Sequence, residues 1–468
     1  MKVVERIAQE FNTVRSEIST AISSVPSTPI PVSSQLSGSY SISNTEKKLA
    51  MGKFLYTGNG TSKEINIGLS SIDFTQATNG TGYYHDRTAG DCIVKDDAGN
   101  IVESGEISFK NVSGVDGIIK VHIKSRSLAY NNYVFDGLRG VGEWVETNST
   151  DAEQFEATFI TDFTSNGYMI GSGTGINQNS ATYVAYIELY THIKWGLTSQ
   201  GKRYIEAYNP NANIGMIMYQ GSGVSGHQIP HSLGVKIDYA MIKNLNAAVS
   251  WPVFTGGSSD LFINSTSAYS SNGYFSNSTA SALVFGASTS TAHNALNQSY
   301  ILYGKAKSAY WTCGIYQGTG ASGNFVETKD YEGNAREPHE LITKRIDSTS
   351  WWAIQDNKRD SDDMLGLNVS NAELNGYSIV YSSNGFTLNH SQNEGNASGG
   401  QYFYQATLLP KTYPNDLDSN FDMPSNTSNL IATDGICSIS NGYNANSGVD
   451  NKIVTLSGQV TPSNGWED

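Results

Sequence analysis

The sequence predicts a mainly β protein: three tandem β-sandwich or jelly-roll-like domains behind a short N-terminal coiled-coil helix. Three observations predict it. Strand-favouring Tyr, Thr, Val and Ile are common, and 27 tyrosines and 47 glycines stand against only 15% charged residues, so strong helix formers are depleted. A heptad-like apolar stripe is confined to the first 24 residues. A seven-residue box is written three times, as YTGNGTS (Tyr56 to Ser62), YQGSGVS (Tyr219 to Ser225) and YQGTGAS (Tyr316 to Ser322).

At the N-terminus, Val4, Ile7, Phe11, Val14, Ile18 and Ala21 keep the alternating three-and-four spacing of an a/d seam, with Glu5, Arg6, Glu10, Arg15 and Glu17 available for the flanks. Residues 1–24 are therefore expected to form an oligomerising or attachment helix. Pro26, Pro29 and Pro31 forbid helix next, and residues 25–49 read as an extended Ser/Pro linker.

Each box has the same followers. Asn-x-[Ser/Thr]-x-Ala comes first, at Asn148 to Ala152, Asn264 to Ala268 and Asn368 to Ala372. An aromatic strand follows, containing Tyr183, Tyr300 and Tyr402, at 35, 36 and 34 residues from the Asn. Ordered landmarks with one spacing held this closely mark three copies of one unit, over 50–205, 206–306 and 307–408. The first is lengthened by an insertion near 70–120, where DDAGN signals a tight turn. Residues 409–468 carry no fourth box and read as a separate C-terminal β module.

The boxes look like phosphate loops, but that chemistry needs a strand before, a helix after and a lysine. EINIGLS, HQIPHSLG and NFVETKD follow instead, and they read as strand and turn. The glycines are better explained by positive φ in a hairpin or bulge.

A formal charge of −14 without a basic run excludes a nucleic-acid binder. No stretch approaches 18 apolar residues, so membrane insertion is not expected, and Glu5 and Glu10 fall where a secretory leader needs an apolar core. Cys92, Cys313 and Cys437 are scattered, and Pro230 separates His227 from His231. The calcium-like alternation from Asp416 to Asp422 has Phe421 in place of the required glycine. No catalytic residue, metal or cofactor is expected, and RDSDD (Arg359 to Asp363) reads as a solvated loop. Trp251, Trp352 and Tyr133 line up as one repeated aromatic position. Tyr83, Tyr84 and His85, with Tyr269, Tyr274 and Phe275, sit among Gly, Ser and Asn. That mixture suits loops that touch a glycan or protein.

Taken together, the YTGNG box, PHSLGVKIDYAMIKN (Pro230 to Asn244), the Trp-x-[Val/Ile] pairs at Trp251 and Trp352, the Asn-x-[Ser/Thr]-x-Ala motif and the aromatic strand resemble a domain of unassigned function. That domain recurs, often in tandem, in bacteriophage tail fibres and related particle proteins. RIAQEFNTVRSEI is similar to the opening of many such fibres. The resemblance covers about residues 50–408 and the leading helix. It implies a virion structural protein and no enzyme: a homotrimeric tail fibre or spike, attached to other virion proteins through its N-terminus and touching a host-surface glycan or protein. A head fibre or capsid decoration protein and a polysaccharide-degrading tailspike are the alternatives. The first copy's insertion departs from the family pattern, as does REPHELI (Arg336 to Ile342) in the third.

Overall fold

The box strands and the aromatic strands are rich in the β-branched and aromatic residues that suit a pleated sheet. The computed structural model pairs the two antiparallel in all three cases, with Tyr56 opposite Tyr183, Tyr219 opposite Tyr300 and Tyr316 opposite Tyr402. The structure describes residues 50–76, 80–409, 430–433 and 436–439. The expected N-terminal helix, with Val4, Ile7, Phe11, Val14, Ile18 and Ala21, lies outside these residues, as do the linker and the Asp416–Asp422 segment.

Residues Leu49–Pro410 form one compact unit. Its first strand set, A, contains β1 (Met51–Thr57), β2 (Lys63–Asn66), β3 (Tyr83–His85), β4 (Val94–Asp96), β5 (Gly105–Ser108), β6 (Ile118–Ser125), β7 (Asn132–Asp136), β8 (Glu143–Glu146), β9 (Gln154–Phe155), β10 (Ile160–Thr164), β11 (Gly167–Ile170) and β12 (Thr182–Tyr190). Strands β13 (His192–Leu197) and β14 (Arg203–Asn209) lead into set B: β15 (Ile214–Gln220), β16 (Gln228–Pro230), β17 (Tyr239–Asn244), β18 (Pro252–Phe254), β19 (Asp260–Phe262), β20 (Phe275–Ser278), β21 (Ala282–Phe285) and β22 (Ser299–Lys305). Set C holds β23 (Trp311–Gln317), β24 (Asn324–Glu327), β25 (Pro338–Arg345), β26 (Trp352–Asp356), β27 (Leu365–Gly366), β28 (Ile379–Ser382), β29 (Gly385–Leu388) and β30 (Gln401–Leu408). In the second unit, 1–48 with 411–468, the described strands are the antiparallel pair β31 (Leu430–Thr433) and β32 (Ile436–Ile439).

One strand order serves all three sets. The larger sheets share the order β1-β12-β6-β7-β8, which β9 extends in A, β15-β22-β17-β18-β19 and β23-β30-β25-β26-β27. The smaller run β2-β11-β10, β16-β21-β20 and β24-β29-β28. Each small sheet faces its large one across a separate apolar cluster. Ile65 and Tyr168 meet Val121 and Phe135 in A, Ile229 and Leu283 meet Ile242 and Leu302 in B, and Val326 and Phe386 meet Leu341 and Tyr404 in C. The opposite faces of the large sheets share a fourth cluster, to which Val184, Ile301 and Phe403 contribute from equivalent strands. A strand such as β12 is therefore buried on both faces, which is why it reads as a near-continuous apolar run.

Set B is the exception at one edge. There β14, β13 and β5 continue the sheet beyond β15 to eight strands. The insertion in A thus reaches across, and Trp195 of β13 packs against Phe74 and Tyr83 while its Nε1 donates to Val102 O at 2.9 Å. The added strands decide the exposure of one position: Met218 is 0% exposed, whereas Leu55 and Ile315, at the same place before the box tyrosine, are 43% and 63% exposed.

The box loop wraps a buried asparagine that stands six residues before each aromatic-strand tyrosine. Asn59, Ser222 and Thr319 donate their backbone N–H groups to Oδ1 of Asn177, Asn294 and Asn396, each at 2.9 Å. Nδ2 of the same residues donates to Thr61 O, Val224 O and Ala321 O at 2.6, 2.8 and 2.8 Å. The two glycines of each box serve different needs. Gly60, Gly223 and Gly320 have φ of +70°, +66° and +71°, where a Cβ is strained. Gly58, Gly221 and Gly318 run so close to the carbonyls of Gln178, Ala295 and Ala397 that a Cβ would collide with them. Gly221→Ala should therefore lower stability by about 1–3 kcal/mol, the range for overpacking a filled site. A surface control, Gly201→Ala, meets no atom within 4 Å but carries φ of +67°. Urea unfolding of the two variants should show the larger midpoint loss at Gly221.

Candidate functional site

Buried charged groups converge at the junctions between sets. Lys124, Lys243 and Lys344 occupy one position near the ends of β6, β17 and β25, and they are 1%, 0% and 0% exposed. Each ammonium bridges two backbone carbonyls. Lys243 Nζ donates to Val249 O in its own set at 2.8 Å and to Thr150 O in A at 2.7 Å. Lys344 does the same with Ser350 O in C and Thr266 O in B, both at 2.8 Å. Lys124 reaches Tyr130 O in A and Ser370 O in C, the latter at 2.8 Å. The remote acceptor is always the third residue of Asn-x-[Ser/Thr]-x-Ala. B grips A, C grips B and A grips C, so the same contact closes a ring of three.

Two further donors repeat around that ring. Trp251 Nε1 bonds Ser149 O at 3.1 Å, Trp352 Nε1 bonds Phe262 O at 2.9 Å, and Asn132 Nδ2 bonds Val369 O at 2.8 Å. The backbone N–H groups of Glu153, Tyr269 and Glu373 donate to Leu245 O, Ile346 O and Arg126 O at 3.1, 3.0 and 2.8 Å. The motif asparagine positions the loop from its own side: Asn148, Asn264 and Asn368 each accept, through Oδ1, the backbone N–H of Asn132, Trp251 or Trp352 at 2.7–3.0 Å. This register corrects the aromatic alignment. Asn132, not Tyr133, stands where Trp251 and Trp352 stand, and Tyr133 turns to the other face against Phe135, Trp144 and Phe159.

Ion pairs complete two of the junctions. Arg139 and Arg359 each bond a carboxylate three residues earlier, Asp136 and Asp356, at 2.7 Å with all four side chains fully enclosed. Tyr303 of B donates to Asp136 at 2.8 Å, and Tyr186 of A donates to Asp356 at 2.9 Å. Arg359 therefore does not belong to a solvated RDSDD loop, and its counterpart in A is Arg139. In B the corresponding residues are Thr255 and Ser258, and Thr255 meets the Tyr269 hydroxyl at 2.8 Å. Glu188 of A lies between Lys120 and Lys305 of B at 2.9 and 2.8 Å. Burial alone would raise its pKa, but those two ammonium groups hold it below the ordinary range.

Burial dominates the lysine clasps. It lowers the amines of Lys124 and Lys344 to about 7 and that of Lys243 to about 8. A neutral amine still has hydrogens for both carbonyls. The arrangement holds chain segments together and leaves the amines closed to any ligand. Among the described residues, no group of three His, Cys, Asp or Glu is placed to hold a metal ion, and no helix is long and apolar enough to cross a membrane.

The candidate contact residues do not form one surface. His85 is 0% exposed between Leu138 O at 3.0 Å and Cys92 N at 3.1 Å, and burial lowers its pKa to about 4. Phe275 is 2% exposed within the B cluster. Burial removes both from any exposed loop. Tyr83 is half-buried against Trp195, and Tyr84 is half-buried beside it on β3. Tyr269 is half-buried at the B–C junction, and Tyr274 is half-buried with its ring against Phe262 and His293. The asparagines at 177, 294 and 396 and the three lysines are the functional residues that sequence reading missed. Their signal was present as a repeated Asn six residues before the tyrosine, and as a repeated Lys at the end of one strand.

Replacing Lys243 by Met keeps much of the apolar stem but removes the donor shared by two part-buried carbonyls, which should cost about 1–3 kcal/mol in all. Chemical denaturation should show that loss. A lowered amine pKa also means that the folded chain binds fewer protons than the unfolded chain, from about pH 7 or 8 up to the ordinary lysine value of ~10.4. Each clasp's contribution is then greatest at high pH and falls as pH drops through that window. Wild-type stability should gain more than that of Lys243→Met between pH 7 and 9; equal slopes would mean that the amine is not perturbed.

Residues 100–408 match the family described as a domain of unknown function, DUF7483, and the chain belongs to that family. One match spans β5 to β30 and takes in strands of all three sets. The curated proteins searched contain no match to the chain.

Proposed function

We propose that this DUF7483 protein is a phage virion structural protein, a tail fibre or spike whose three strand sets are tandem copies of one β-sandwich, jelly-roll-like domain. The copies cover 50–205, 206–306 and 307–408, with the insertion of the first reaching over the second. The observation that carries the reading is the repeated lysine clasp. One chain uses the same heterologous contact three times and closes it on itself, which suits a structural body. Sister chains then have no junction left to complete in the body. Trimerisation falls to the a/d stripe of residues 1–24, which also joins the fibre to other virion proteins. Host contact falls to exposed loops that recognise a surface glycan or protein.

Sedimentation tests the assembly: the full chain should run as a trimer and a chain lacking residues 1–24 as a folded monomer. A full-length monomer would remove the coiled coil from the reading. Immunogold labelling of purified particles should place the protein on the tail. Labelling of the head would favour a head fibre or capsid decoration protein. Loss of capsular polysaccharide on incubation would favour a degrading tailspike.

A further inference from the structure

The three junctions share their hydrogen bonds but differ in covalent continuity. A continues into B through β13 and β14, and B continues into C through residues 306–310. The closure of C onto A is the one seam without a linking segment. It is also where the box strand β1 of A meets a basic residue of C. Lys53 of β1 corresponds to Met216 of β15 and Cys313 of β23, each standing three residues before the box tyrosine. Lys53 Nζ touches Nδ1 of His339 and donates to His339 O at 2.8 Å. His339 reaches it because the β25–β30 register slips between Pro338 and Glu340, an irregularity that re-aims the intervening side chain. Both groups are enclosed, at 5% and 6% exposure.

We propose that the C–A seam is an acid-sensitive latch: a proton on His339 faces the Lys53 ammonium across a closed interface, and the ring opens there before the other junctions yield. The charged groups that act on His339 are Lys53 from β1, Asp356 from β26 and Lys358 from the following turn, while Lys53 is itself faced by Glu340 of β25, Asp356, Lys358 and Arg359. Asp356 is engaged by Arg359 at 2.7 Å and by Tyr186 at 2.9 Å, so it is poorly placed to neutralise a second cation. Burial, with Lys53 next, lowers the His339 pKa to about 3. The folded chain thus binds fewer protons than the unfolded one from the ordinary histidine value of ~6.5 down to about 3. The contribution of the seam is full above that window and is lost as pH falls through it. The other seven histidines are also held below their ordinary value, chiefly by burial, so general acid unfolding must be separated from local opening.

The ring supplies its own controls. The amides of Glu373, Glu153 and Tyr269 make the same bond at the C–A, A–B and B–C junctions. Hydrogen exchange of the full chain, followed by mass spectrometry between pH 7.5 and 4 and corrected for intrinsic rates, should show Glu373 losing protection first. Lys53→Met installs the residue that set B uses at this position. It should move the Glu373 transition down by about one pH unit or more and leave Glu153 and Tyr269 where they were, and His339→Gln should do the same. Simultaneous loss at all three amides in wild type would overturn the proposal. So would a Glu373 transition that Lys53→Met leaves unmoved, whether or not His339→Gln folds. The latch does not depend on the particle reading.

Discussion

A lysine amine enclosed between two backbone carbonyls is the constraint around which this body is organised. Where two strand sets meet, the loop carrying Asn-x-[Ser/Thr]-x-Ala turns one carbonyl inward to the neighbouring set while the rest of the loop stays partly in water. A lysine on the neighbouring set is long enough to reach it and still bond a carbonyl beside its own strand. The amine is desolvated, which lowers its pKa, and two acceptors partly offset that cost. Because the contact is heterologous, it can be repeated from set to set, and three repetitions return to the start.

The motifs divide their work between building a set and joining sets. Box glycines, the stacked tyrosine pair and the buried asparagine organise one end of each strand set from within. Tyr56 and Tyr183, Tyr219 and Tyr300, and Tyr316 and Tyr402 stack with ring centroids 5.1 Å apart. The motif asparagine, the lysine and the Trp251/Trp352/Asn132 position look outward to the next set. These joining contacts tolerate chemical change where donor direction survives: Asn132 Nδ2 replaces an indole N–H. The Arg–Asp pairs are less uniform. They are present in A and C but replaced by Thr255 and Tyr269 in B, so each junction has its own electrostatic character. Such differences help to specify which set neighbours which.

Much of the strand content was legible because it depends on alternation and turns, which are local. The added strands of the insertion, announced by DDAGN, are β3 to β5, and the box loops are turns held by positive-φ glycine. What escaped was register across space. Tyr133 was the nearest aromatic to the expected position, but the hydrogen bond from the motif asparagine falls one residue earlier, on Asn132. His85 and Phe275 carried the composition of exposed loops, and whether a neighbouring element covers them is not a local property.

By itself the sequence determined the β character, the recurrence of box, motif and aromatic strand, and the places where only glycine fits. All of these follow from side-chain period and backbone sterics along a short stretch. Only the tertiary structure decided that Lys124, Lys243 and Lys344 are buried joints rather than solvated charges, that Arg359 pairs as Arg139 does, and that β14 covers one box-strand edge of three. Those outcomes rest on desolvation and on partners more than a hundred residues away in some cases, and such distances leave no periodic trace in the chain.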